Sequence, residues 1–60
     1  MKKTYIIIPP VLHKYQFNDI QRTAIEQFKK INPSVLYVDS YFTHDIYSDN
    51  FMIAILYMIL

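Results

Sequence analysis

The last ten residues, Phe51 to Leu60, contain no charge, no glycine and no proline. A chain of 60 residues buries only about 60% of its unfolded surface, so so long an apolar run needs more cover than 50 preceding residues supply. Cysteine is absent and no Cys/His cluster has structural-zinc spacing, which leaves association as the supplement to a small core. The expectation is a half-domain completed by another copy, a homodimer or higher oligomer through Phe51–Leu60, or by another protein.

Hydrophobic residues make up 53% of the chain and charged residues 18%, which argues for a folded chain. Net charge is +1, and the six basic residues are dispersed, so no basic patch for nucleic acid is visible. Lys2 and Lys3 ahead of Ile6 to Ile8 imitate a signal peptide. Pro9-Pro10 ends that run short of a ~7–15-residue apolar core, however, and no small-residue cleavage site follows. The terminal apolar run is half of the ~20 residues a spanning helix needs. A cytoplasmic protein without a membrane span is expected, and the lack of thiols fits a reducing compartment.

Tyr5 to Ile8 is a continuous β-branched and aromatic run closed by two prolines, and residues 4–9 read as a strand buried on both faces. Val11 to Phe17 reads as a loop, because the prolines bar a helix there. Asn18 suits an N-cap, with Gln21 reaching back and Asp19 on the positive end of the dipole. Ile20, Ala24, Ile25, Phe28 and Ile31 then form one helical stripe over residues 18–31, with Glu26 and Lys30 as an i,i+4 pair. Asn32-Pro33 stops the helix. Residues 34–41 read as a second strand and residues 49–60 as a second helix, capped by Ser48 or Asp49. The fold class expected is α/β, a minimal β-α-β-α half of a Rossmann-like parallel sheet in one domain, residues 1–60, completed by oligomerisation.

Ligands of a parallel sheet bind beyond the carboxyl ends of its strands. That places His13, Tyr15 and Gln16 in one candidate loop, and Asp39, Tyr41, His44, Asp45, Tyr47 and Asp49 in the other. Asp39, at the end of the second strand, stands where ribose hydroxyls are held in a mononucleotide-binding unit. There is no glycine at all, hence no G-x-G-x-x-G and no ordinary dinucleotide cofactor. His13, His44, Asp45 and Asp49 have no metal-ligand spacing, so no metal is expected. The clustered aromatics, Tyr15, Phe17, Tyr41, Phe42 and Tyr47, offer stacking surface for a base, or simply close the core and an interface.

Tyr5 to Pro10, Gln16 with its following helix, and Val38-Asp39-Ser40-Tyr41 together resemble the first half of nucleoside 2-deoxyribosyltransferase-like proteins, a flavodoxin-like nucleotide-handling family. The resemblance implies that Gln16 contacts the base and that Tyr41 to Tyr47 closes over the sugar. The family's catalytic glutamate belongs to a later half. The one glutamate here, Glu26, is mid-helix, so no catalytic residue is assigned and glycosyl transfer is not expected. The resulting expectation is a non-catalytic oligomer that sequesters or senses a nucleotide-like molecule. Gln16, Asp39 and Tyr41 hold base and ribose, His13 or Arg22 faces phosphate, and Tyr15 or Tyr47 stacks. The alternatives are an interaction module docking its terminal helix in a partner's groove, or the N-terminal part of a deoxyribosyltransferase-like enzyme.

Overall fold

A computed structural model of the chain describes residues 1–60 throughout. Strand β1 (Lys2–Ile8) leads through a 3-10 turn (Pro10–Leu12) into helix α1 (Phe17–Ile31), and strands β2 (Val35–Asp45) and β3 (Asn50–Ile59) follow as a hairpin. The three strands form one sheet in the order β1-β3-β2, and β3 is antiparallel to both neighbours.

Two expectations are overturned here. Residues 49–60 are not a helix: Asn50–Ile59 is the central strand. The sheet is not a parallel Rossmann-like unit either. β1 and β2 point the same way, but β3 lies between them and supplies every ladder bond through antiparallel pairing. The cause of both is legible in β3. Phe51, Ile53, Ile55, Tyr57 and Ile59 are all β-branched or aromatic and share one face, while Met52, Ala54, Leu56 and Met58 share the other. Periodicity cannot separate a strand that is apolar on both faces from a buried helix. Hairpin closure across four residues, Ile46 to Asp49, brings β3 beside β2 at low entropic cost, and an antiparallel ladder then follows.

The other elements depart in detail. β2 runs on to Asp45 rather than stopping near residue 41, because pairing with β3 carries its polar end. A bulge at Val38 shifts the alternation, so that Tyr37 and Ser40 face the same side. Pro10 opens a 3-10 turn inside the expected loop, since proline is tolerated at a first helical position, where its missing N–H costs nothing. The helix begins at Phe17 with Gln16 as N-cap and no side-chain capping bond. Asn18 is therefore inside the helix, and Gln21 points to the sheet instead of closing a capping box. At the other end, Asn32 donates both its backbone N–H (2.9 Å) and Nδ2 (3.1 Å) to the Phe28 carbonyl. The one Lys/Arg–carboxylate ion pair is Arg22–Asp19 at 3.3 Å, so Glu26 and Lys30 do not pair.

Helix α1 lies on one face of the sheet. Its Ile20 and Phe28 pack with Ile8, Ile53 and Ile55, and Ile6, Leu12, Ala24, Val35, Tyr37, Phe42 and Tyr57 complete the core. Ile31, the end of the expected apolar stripe, is 76% exposed. The molecule measures 33 × 23 × 15 Å, and its shortest dimension accommodates one helix layer on one sheet layer. The second face of the sheet has no layer over it. No helix is long and apolar enough to cross a membrane.

Candidate functional site

On the helix side, α1 is tied to β2 by a small polar knot. Gln21 Nε2 donates to Ser40 Oγ at 2.6 Å, and the Tyr37 hydroxyl lies 3.2 Å from the same oxygen. Ser40 is the one buried polar residue and its hydroxyl is held by groups of α1 and β2, so this cluster ties the layers together. Beside it, Lys29 Nζ lies 5.1 Å from the centroid of the Tyr37 ring.

A cleft of about 490 Å³ opens between the edge of β1, the 3-10 turn and α1. Ile6, Ile8, Leu12, Ile20 and Ala24 give it apolar walls, and Tyr15, Asp19, Thr23 and Gln27 rim it. It has no hydroxyl or thiol paired with a base. The only histidine–carboxylate pair, His44 Nε2 to Asp49 Oδ1 at 2.8 Å, is on the hairpin, and Asp49 is its sole hydrogen-bond partner. His44 also packs against Phe51, with 4.9 Å between ring centroids, and His13 meets the same ring edge-on at 5.4 Å. No group of three or more His, Cys, Asp or Glu side chains is placed to hold a metal ion.

The residues expected to hold a nucleotide do not converge. Tyr15 rims the cleft. Gln16 caps α1 through its backbone. His13 Nε2 is 3.3 Å from the Ile8 carbonyl oxygen, Arg22 pairs with Asp19 on the exposed helix surface, and Tyr47 is 93% exposed at the hairpin tip. Asp39 and Tyr41 are on the opposite side of the sheet from α1. The parallel-sheet geometry that would have gathered these loops at one edge is absent, and with it the reason to read them as one nucleotide site.

What Asp39 and Tyr41 do join is the uncovered sheet face. Cross-strand pairing sets its side chains in rows reading from β1 through β3 to β2: Lys3–Leu56–Asp39, then Tyr5–Ala54–Tyr41, then Ile7–Met52–Thr43. Leu36 and Met58 continue the face beyond β1. Tyr5 is 52% exposed, Ile7 58%, Leu36 48%, Tyr41 41% and Met58 46%. Between Tyr5 and Tyr41, its cross-strand neighbours, the small side chain of Ala54 is wholly buried. Lys3 reaches across the sheet until Nζ lies 5.6 Å from the centroid of the Tyr41 ring. The Tyr41 phenol, with Tyr5 behind it, favours the ammonium form and raises Lys3 above its ordinary pKa of 10.5. Asp39 Oδ1 accepts its own neighbour's Ser40 N–H at 2.7 Å, and its other oxygen has no internal partner. Sequence reading found Asp39 and Tyr41 but not Lys3, Tyr5, Ile7 or Leu36 as their company. For Lys3, Tyr5 and Ile7 the signal was their odd-numbered spacing along one strand, which a run read as buried on both faces conceals.

The fold and its two surfaces thus define a two-layer α+β protein, one helix on a three-stranded antiparallel sheet, rather than the α/β class expected. No family model, curated protein or solved structure matches the chain.

Proposed function

We propose that this protein is a non-catalytic interaction module whose working surface is the uncovered face of its sheet. The observation that carries this reading is the group of half-exposed Tyr5, Ile7, Leu36, Tyr41 and Met58 on one sheet face, with Lys3 and Asp39 on its two edge strands. The largest apolar patch on a soluble monomer covers about 300–600 Å² and is often functional, and this face is of that size. Tyr and Met are enriched in such interfaces, and strands present them on a rigid platform. The earlier idea of a terminal helix docking in a groove gives way to a flat sheet surface formed in part by the same residues, Met52 to Met58.

Site-specific photo-crosslinking in cells tests this. A crosslinker at Leu36 or Tyr41 is expected to give defined adducts, whereas one at Arg22, on the outer surface of α1, gives none. Equal labelling at all three positions, or none at the sheet positions, overturns the reading.

A further inference from the structure

We propose that the uncovered face is covered by a second copy of this chain, related by a two-fold axis that lies in the interface and runs parallel to β3. This rests on the reading of that face as the working surface and names its partner. The argument is one of charge placement. Lys3 and Asp39 stand at opposite ends of one row, with Leu56 between them. Turning a copy over about an axis along β3 lays its β2 on this chain's β1 and keeps the rows level. Lys3 then faces the partner's Asp39, and by symmetry Asp39 faces the partner's Lys3. Lys3, whose ammonium lies over Tyr41 in the single chain, exchanges that contact for a counter-charge at the β1 edge, and Asp39, one of whose oxygens is free of internal bonds, gains one at the β2 edge.

The other in-plane two-fold, perpendicular to the strands, fails this condition. Passed through the Ala54 row, it sets Lys3 against the partner's Ile7 and Asp39 against the partner's Thr43, which covers two charges without pairing them. The parallel axis also suits the packing. It passes over Ala54, the smallest side chain of the face, and puts Tyr5 over the partner's Tyr41 on either side, as in sheets stacked about 10 Å apart with roughly aligned strands. Three strands about 4.8 Å apart and four rows about 6.8 Å apart give a footprint on the order of 400 Å² per copy. A standard interface takes about 800 Å² per partner, so the dimer is reversible and concentration-dependent.

Sedimentation equilibrium of the full chain at low salt is the test. The chain is expected to dimerise reversibly. Lys3→Glu or Asp39→Lys alone sets like charges opposite each other and weakens the dimer at least about tenfold, while the double variant restores the pair with its polarity exchanged and recovers most of the affinity. Both positions are exposed, so the fold should survive each change, as circular dichroism will show. The lack of cysteine permits a second measurement: in a mixture of Lys3→Cys and Asp39→Cys chains, a short bismaleimide, long enough to bridge sheets about 10 Å apart where a direct disulfide is not, should join the two different chains in preference to either symmetric pair. A monomer at every concentration, a dimer indifferent to both single reversals, or a double variant no better than the singles overturns the inference. If the chain stays monomeric while Leu36 and Tyr41 crosslink to a different protein, the interaction surface stands and only the partner named here is wrong. Absence of any adduct at those positions removes both.

Discussion

Asp45 and Asp49 do, in the hairpin turn, the work that glycine does elsewhere. Asp45 Oδ1 accepts the Tyr47 N–H at 3.0 Å and its Oδ2 accepts the Ser48 hydroxyl at 2.6 Å. These bonds, the hydroxyl first, favour the carboxylate and hold Asp45 below its ordinary pKa of 3.8. A lowered folded-state pKa means that the stabilisation is complete above the unfolded value and disappears as pH falls through the folded one. Denaturant melts of Asp45→Asn should therefore show a loss at pH 7 that shrinks below about pH 4, where wild type loses the same contribution. Asp49 is the one non-glycine residue with positive φ, at 59°. Its His44 contact is largely solvated, with 92% of the Asp49 side chain exposed, so the backbone should dominate its substitutions. Asp49→Asn should be nearly neutral and Asp49→Val should cost about 1–2 kcal/mol in the same melts. Ser40→Ala strips Gln21 and Tyr37 of their shared partner between the layers, for an expected loss of about 1–3 kcal/mol.

At the scale of the element, β3 is the strand on which the fold depends, since neither β1 nor β2 pairs with anything else. Ile53 and Ile55 are fully buried under α1. Ile53→Ala should cost about 2–5 kcal/mol, against a total stability of roughly 3–9 kcal/mol for a chain this short. Thermal melts should show that variant largely unfolded, while Ile59→Ala, at a 60% exposed position, should stay folded. The helix was the most legible element, because the polar and apolar residues of Phe17–Ile31 separate cleanly at 3.6-residue spacing. β1 was legible from its β-branched run, and β2 from Val35 to Tyr41 though not beyond it. β3 was misread because a central strand covered on one face and apolar on the other displays no polar–apolar alternation. Its β-branched and aromatic odd positions were the remaining clue.

For the molecule as a whole, one helix covers one sheet face and leaves the other uncovered. If a second copy covers it, the folded state is stabilised by mass action, so the apparent melting temperature should rise with protein concentration. Calorimetry of wild type and Lys3→Glu across a concentration series checks this: wild type should shift upward, and the variant should need at least about tenfold more protein for the same shift. The candidate site was legible only in fragments. Asp39 and Tyr41 stood out as individual residues, but their assignment to a nucleotide site with His13, Tyr15, Gln16, Arg22 and Tyr47 required strand ends that meet at one edge. In the structure these residues are divided between the cleft, the helix surface, the hairpin tip and the open face. The sequence by itself determined that residues around 18–31 are helical and that residues near 5–8 and 35–41 are strands. Those follow from local periodicity, proline placement and composition. Only the tertiary structure decided that the terminal run is the central strand and that Lys3 and Asp39 end the same row. Strand order and register are set by pairing between residues distant along the chain, which no local pattern records.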